Sequence, residues 1–401
     1  MALLPVADAL RLLLDGAAPL KSERVPLHDA AGRVLAGRLS ALRTQPPFDA
    51  SAMDGYAVRA EDVASVPVRL DVVGVSAAGH GFRGRAGKGQ AVRILTGAPV
   101  PDGADTIVIQ ENTRPAGPET IDVLDTAASG RHIRRRGLDF SEGDALLEQG
   151  RILDAAALSL AASANHAELD VVGRPLVAII ATGDELLPPG SELGPDQIIA
   201  SNGYGVAAIA SAAGARILDL GIVRDDRAAI ADRLGAATEA GADIVVTLGG
   251  ASVGDHDLVH DVLTEQGVTL GFWKIAMRPG KPLMFGRRGD TRFIGMPGNP
   301  VASLVCSHLF LKPLVARLGG RFHEQDIRAA RLGAAMGAND LREDYVRAKI
   351  EIVDGQVTAT PFGLQDSSML RILAESGGLI IREPFALPAA EGETCKVLML
   401  R

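Results

Sequence analysis

Hydrophobic residues in the second half of the chain come in near-continuous runs, separated by stretches of helical period. Pro175–Thr182 ends in Gly183-Asp184-Glu185, Ile217–Val223 ends in Arg224-Asp225-Asp226, and Asp243–Leu248 feeds a glycine-rich loop. Between them Asn202–Ala213 and Arg227–Ala240 read as helices. Strands that are apolar at every position are buried on both faces. The alternation therefore predicts a mostly parallel sheet with helices on each side, a three-layer α/β/α domain. Near the C-terminus the period falls to two: Val346-Arg-Ala-Lys-Ile-Glu-Ile352 precedes Asp354-Gly355, the pattern of strands, a hairpin and a small β domain. Leu10–Leu14 with Arg11 and Asp15 fits an amphipathic first helix, Asp154–Ala164 is another helical pattern, and Tyr56–Val58 is a short strand. Composition changes around Ala41 to Pro47, Asp139 to Gly143, Gly173 to Pro175 and Gly319 to His323 mark domain boundaries.

The loops at the strand ends hold the chemistry. Thr247-Leu-Gly-Gly-Ala-Ser-Val-Gly254 follows a buried strand and precedes a helix expected near Asp257. Gly249, Gly250 and Gly254, with Ser252 among them, let backbone N–H groups converge at a helix N-terminus, which suits a phosphate; a plain strand-to-helix turn has the same signature. Ligands of parallel sheets sit at the carboxyl ends of strands, where Glu185, Asp225 and Asp257 all fall. Carboxylates beside phosphates are how proteins hold Mg²⁺, although each acid also reads as a helix N-cap. Lys274, Arg278 and Lys281 share a Pro/Gly-rich loop beside the lone Trp273, reading as anion ligands or as a solvated basic loop. Pro297-Gly298-Asn299-Pro300 is a rigid turn with Asn299 as N-cap and Pro300 at the first helical position, and such a turn can also bind ligand. Upstream, Asp49, Ser51, Asp54 and Tyr56 crowd one loop, where Asx-turn chemistry accounts for part of the density.

Charge and composition narrow the partners. A formal net charge of −8, without a basic patch interleaved with aromatics, argues against nucleic acid. The hydrophobic fraction of 47% suffices for several cores across 401 residues. Cys306 and Cys395 lack metal-ligand company and read as free and buried, and His256 and His260, one helical turn apart, lack the further ligands zinc needs. No targeting segment and no membrane-spanning run is evident, so a cytoplasmic protein without a membrane partner is expected.

Five motifs in order give the chain a resemblance to the MoeA/gephyrin E-domain family, the molybdopterin molybdenumtransferases. They are Ser-Ala-Met-Asp-Gly-Tyr-Ala at 51–57, Leu-Thr-Gly-Ala at 95–98, Ile-Arg-Arg-Arg-Gly at 133–137, Ala-Thr-Gly-Asp-Glu-Leu at 181–186 and Pro-Gly-Asn-Pro at 297–300. The resemblance implies insertion of molybdenum from molybdate into molybdopterin, with Mg²⁺-dependent cleavage of the adenylylated pterin and release of AMP. It implies a homodimer with its cleft between subunits, and allows molybdopterin adenylyltransferase and molybdenum-enzyme maturation proteins as partners. By motif position Asp54 and Thr96 match active-site residues, Asp54 being offered into the other subunit's cleft, and Arg134 and Asp139 flank the family's arginine cluster. Glu185, Asp225 and Asp257 match its acidic positions, and Lys274, Arg278 and Lys281 its cationic loop.

Taken with the periodicity, the resemblance divides the chain into a discontinuous helical and extended N-terminal domain (1–42 and 139–172), an inserted β-rich domain (43–138), the α/β domain (173–321) and a C-terminal β domain (322–401). In this division the first helix and the helix at 154–164 pack together. Three positions depart from the family pattern: Ala200 stands where many members carry Asp or Asn, Arg278 where some carry Lys, and Asp366 lies in a segment otherwise richer in Gly and Ser. Arg342, Arg347 and Ser367 are candidates for molybdate, the two arginines reading equally as edge-strand surface charge. A molybdopterin adenylyltransferase and a non-catalytic, gephyrin-like scaffold or pterin carrier are the alternative functions.

Overall fold

The computed structural model describes residues 3–249, 258–353 and 355–400. Gly250, Ser252, Gly254, His256 and Asp257 lie outside the described residues, as do Asp354 of the hairpin and the side chain of Trp273. The chain forms two compact units, one of residues 24–31 and 35–170, the other of the segment up to 23, 32–34 and 171 onward.

In the larger unit the apolar runs form one six-stranded sheet. Its strands are β1 (Leu176–Thr182), β2 (Arg216–Val223), β3 (Ile244–Leu248), β4 (Thr269–Lys274), β6 (Pro282–Arg288) and β7 (Thr291–Met296), with the two-residue β5 (Met277–Arg278) outside it. The order is β2-β1-β3-β7-β6-β4; the first four strands are parallel, and β6 pairs antiparallel with both β7 and β4, so β6 alone runs the other way. Val177, Ile179, Val246 and Leu248 point to one face, against helices α1 (Val6–Leu14), α2 (Asn202–Ala212) and α5 (Pro300–Leu318). Ala178, Ile180 and Val245 point to the other, against α3 (Arg227–Glu239) and α4 (Leu258–Glu265). This is the predicted three-layer α/β/α arrangement.

Two expectations need correction. The first helix belongs to the larger unit, whereas the helix at 155–163 belongs to the smaller one. Val6, Ala9 and Leu13 of α1 are buried in the core of the larger unit, and its C-terminal carbonyls are held by cations of that unit. Arg287 donates to Leu12 O at 2.8 Å, Arg292 to Asp15 O at 3.3 Å and Arg317 to Ala17 O at 3.0 Å, the favourable sign for a helix C-terminus. Further, α5 is by length and composition long and apolar enough to cross a membrane, but most of it is buried within the unit. Its regular turns are interrupted at Ser307–Leu311 by a π-helical segment that carries His308. Burial, and then the charge of Lys312, lower the His308 pKa to about 4. A depressed histidine stabilises the fold above its unfolded pKa of about 6.5 and ceases to as pH falls toward 4. Chemical denaturation between these pH values should show a shallower loss of stability for His308→Asn than for the parent protein.

Beyond α5 the chain builds a closed β-barrel from β8 (Ile327–Leu332), β9 (Glu343–Val353), β10 (Gln356–Pro361), β11 (Gly378–Arg382) and β12 (Thr394–Met399). The circuit β9-β10-β8-β12-β11 returns to β9, so no edge of the circuit is left open. Its centre is Leu332, Ala348, Ala359, Ile380 and Val397, and β5 lies parallel to β9 with Arg278 opposite Asp344.

The smaller unit carries its own six-stranded sheet, in the order 106–109, 55–58, 90–94, 68–76, 120–123 and 113–117. Its helix Ala155–Ser163 is capped by the Asp154 carboxylate, which accepts from Ala157 N–H.

Candidate functional site

At the carboxyl end of the parallel strands the larger unit opens a cleft of about 700 Å³. The ends of β1 and β3 (Thr182, Gly183, Glu185, Leu248, Gly249), the start of α2 (Ser201, Asn202, Gly203), the turn Pro297–Pro300, Asp225 and Ser368 line it. Leu186, Ile198, Ile199, Ala200 and Leu370 supply an apolar wall. The strand-to-loop turn is sterically specified: Gly249 has φ +94°, and a Cβ there would stand 2.5 Å from the Thr182 carbonyl oxygen.

Glu185 and Asp225 meet in this cleft. Burial, then the charges of Asp184 and Glu185, raise the Asp225 pKa, against a smaller lowering by a hydrogen bond from the Asp184 backbone; separately, the Asp225 N–H donates to Asp184 Oδ1 at 3.3 Å. The capping role that the sequence allowed for Asp225 falls to its neighbour: Asp226 accepts from Ala229 N–H at 2.9 Å. Among the described residues no three acidic, histidine or cysteine side chains form a ready-made metal cluster. A carboxyl raised in the folded state favours folding at low pH and opposes it once ionised. Asp225→Asn should accordingly raise the thermal midpoint in metal-free buffer at neutral pH, and the gain should vanish below the carboxylate range.

The turn at 297–300 differs in detail from its sequence reading. Pro300 opens α5 and Asn299 is its N-cap residue, but the Asn299 side chain makes no cap bond. It donates instead to Ser367 Oγ at 3.0 Å, while Val301 N–H donates to Ser367 O at 3.0 Å. Asn202 behaves likewise, giving its amide to Gly298 O at 2.7 Å. Polar side chains at two helix starts thus tie the walls of the cleft together. Neither Asn202 nor Asp184 was selected by sequence reasoning: the first looks like an ordinary helix start, and the second matters through its charge on Asp225.

Of the cationic residues, none is among the cleft lining, although Pro282 is. Lys274 and Lys281 are exposed and make no ion pair among the described residues. Arg278 is engaged with Asp344, and its Nη1 lies 3.5 Å from Asp340 Oδ2.

In the smaller unit the exposed Asp54 accepts from the Thr96 N–H and hydroxyl, both at 2.7 Å, and its pKa is lowered by the N–H first and the hydroxyl second. Gly55 beside it packs on the 106–109 strand so closely that a Cβ would meet Val108 O at 2.0 Å, which fixes the loop. Arg134 pairs in register with Ala50, and Arg134 and Asp139 line a separate cavity of about 340 Å³ with Pro46, Phe48 and Leu138. Asp49 accepts from Arg136 N–H at 2.8 Å and from Arg135 Nη1 at 2.6 Å, which join the arginine cluster to the Asp54 loop.

The C-terminal candidates separate. Arg347, read as either a molybdate ligand or surface charge, is 1% exposed. Its Nε donates to Gln365 Oε1 at 3.0 Å and its Nη1 to Asp366 O at 2.6 Å, so it braces the loop that carries Ser367 and Ser368. Arg342 is partly exposed and pairs with Asp340 at 3.2 Å. Asp366 is occupied by the Ser368 hydroxyl and N–H. Arg347→Met, of similar length, should lower stability by about 2–3 kcal/mol in denaturant melts, the scale of buried bonds to a charged group left without partners.

Three family models match the chain: MoeA N-terminal region (domain I and II) over residues 4–165, probable molybdopterin binding domain over 178–317, and MoeA C-terminal region (domain IV) over 329–400. Haemophilus influenzae molybdopterin molybdenumtransferase is 34% identical over 385 residues, 94% of each chain. Mycobacterium tuberculosis molybdopterin molybdenumtransferase 2 is 38% identical over 374 residues, 89% of each. The solved structure of the molybdopterin biosynthesis moea protein from Pyrococcus horikosii superposes over all of both chains with a TM-score of 0.84 at 30% identity. Matched from residue 4 to residue 400, and aligned with these relatives over nearly their whole length, the chain belongs to the MoeA family.

Proposed function

We propose that this protein is a molybdopterin molybdenumtransferase, taking molybdate and adenylylated molybdopterin and releasing AMP with the molybdenum-bearing pterin. The observation that carries the reading is the cleft at the parallel strand ends, where the Gly249 turn, the Asn299 turn and two carboxylates face one another, in a chain whose relatives bear that enzyme name over nearly their full length. The apolar wall suits the planar rings of the substrate, and the Gly249 and Pro297–Pro300 turns suit its phosphates.

Mg²⁺ fits the donor set. Glu185 and Asp225 are hard oxygen ligands, and Asp225 is held with an elevated pKa beside two like charges that a divalent cation would offset. When bound there, the ion would stabilise charge developing on the phosphoanhydride oxygens. The chain's own groups do the rest: the backbone N–H of Gly298 orients phosphate, and Lys274 and Lys281 attract the oxyanions. No covalent nucleophile is required. A cytoplasmic location belongs to the same proposal.

The homodimer, with Asp54 of one subunit serving the Glu185 cleft of the other, is testable by mixing inactive variants. Asp54→Ala and Glu185→Ala subunits, unfolded and refolded together, should recover about a quarter of wild-type activity, because half the dimers are then hybrids with one intact cleft each. Recovery of nothing would place Asp54 and Glu185 in the same subunit's site. The choice between transferase and adenylyltransferase is settled by product. AMP released from adenylylated molybdopterin supports the transferase, whereas pyrophosphate formed from ATP and molybdopterin would replace it.

A further inference from the structure

We infer that Asp344 is a positioning residue for the cation-bearing segment 274–282, acting through Arg278, and that Arg278 is an anchor in this chain rather than an anion ligand; the inference rests on the transferase reading above.

Arg278 lies on β5, laid parallel along barrel strand β9 with Asp344 directly opposite. Its Nη2 bonds the Asp344 carboxylate, whose side chain is only 10% exposed. Nη1 approaches Asp340 Oδ2 and Nη2 approaches Asn339 Oδ1, each at 3.5 Å. The acceptors are themselves braced: Asn339 Nδ2 donates to the carbonyls of Arg342, Arg382 and Glu383 at 2.8–2.9 Å. The second oxygen of Asp344 is buried without a hydrogen-bond partner among the described residues. Were Arg278 to swing away to a ligand, a buried carboxylate would lose its counter-charge, which is strongly unfavourable. Two carboxylates also offset its charge, leaving little attraction for a dianion such as molybdate.

Lys274 and Lys281 are placed differently. Ile275 N–H donates to Lys281 O at 2.9 Å, Leu4 N–H to Lys274 O at 3.0 Å and Ala276 N–H to Leu4 O at 2.7 Å, which ties the two ends of the segment by backbone alone. Their side chains are exposed, with no ion pair among the described residues. The bend between them is held to the barrel by Glu343 N–H, donating to Ala276 O at 2.8 Å, and by the Arg278–Asp344 pair. Labour in the loop is thereby divided: two lysines present charge, and the arginine fork fixes where they stand.

The test is a double-substitution cycle on the full-length protein with Asp344→Asn, Arg278→Gln and their combination. The readouts are molybdate KM and kcat in AMP release, thermal midpoint, and amide hydrogen exchange over 275–281. An anchor predicts that each single change raises molybdate KM by about tenfold, that the pair together is no worse than either alone, and that exchange over 275–281 quickens, with kcat at saturating molybdate within about twofold of wild type. Lys281→Ala combined with either change should cost less than the product of the two, because the anchor acts by placing that lysine. A molybdate KM that falls in Asp344→Asn, or a loss in Arg278→Gln that Asp344→Asn does not share, would make Arg278 a ligand and overturn the inference. Should Asp344→Asn fail to fold, Arg278→Lys carries the test, with partial retention of KM and slow exchange relative to Arg278→Gln expected for an anchor and equality with Arg278→Gln contradicting it. A wild-type protein inactive on adenylylated molybdopterin would sink the transferase reading instead, while the exchange data still report on the anchor.

Discussion

Glu185→Ala is expected to lower molybdate-dependent AMP release by at least about a hundredfold, with little change in thermal midpoint, when assayed by single-turnover kinetics with Mg²⁺ present. The side chain is exposed at the end of β1 and makes no structural hydrogen bond or ion pair among the described residues, so its removal costs the fold little. What it would remove is one of two acids able to hold Mg²⁺ against the phosphoanhydride, a class of interaction whose loss typically costs two to three orders of magnitude, roughly, in rate. Raising Mg²⁺ should recover part of the Glu185→Gln defect, because a neutral oxygen remains to bind weakly. A fall of less than about fivefold in Glu185→Ala would remove this residue from the metal-holding role.

Gly249→Ala should lose stability and activity together. Its φ of +94° disfavours any Cβ, and the added carbon would stand 2.5 Å from the Thr182 carbonyl oxygen, a backbone atom that cannot turn away. Gly267, at φ +80° and with open space within 4 Å of where a Cβ would stand, isolates the conformational part of the penalty. Gly267→Ala should cost about 1 kcal/mol, and Gly249→Ala should cost about 2 kcal/mol more in denaturant titrations, the excess being steric. Because the displaced backbone forms the floor of the cleft, substrate affinity should fall at Gly249 and stay unchanged at Gly267. Equal costs at the two positions would mean that the turn relaxes freely.

The periodic features of the chain were legible in its sequence. Continuous apolar runs gave three of the four parallel strands to within about a residue, since burial on both faces leaves few polar positions to blur the pattern; the fourth, β7, was not delimited. The placement of Glu185, Asp225 and Gly249 at strand ends was legible for a topological reason: wherever a parallel sheet forms, those loops share one edge. Long-range pairing was not legible. Nothing local to α1 says that its apolar stripe belongs to the core of the α/β unit, because any amphipathic helix fits several apolar surfaces. Arg347 looks like an edge-strand charge until the loop at 362–366 folds over it and satisfies its guanidinium. Asn299 carries the signature of an N-cap, yet its amide is claimed by Ser367, 68 positions away in the chain. Arg278 is the sharpest case, since a cation in a Pro/Gly loop reads as an anion ligand, and the acid that occupies it lies in the barrel.

Most direct for the central claim is a measurement of molybdenum bound to pterin per AMP released. Purified protein would be given adenylylated molybdopterin, Mg²⁺ and molybdate, with Glu185→Ala and Asp225→Ala in parallel. The account predicts near-equal amounts of AMP and molybdenum-bearing pterin from the wild type, AMP release that rises with molybdate, and loss of both products in the two variants. Tight pterin binding without AMP release, or AMP release that both variants retain, would contradict it.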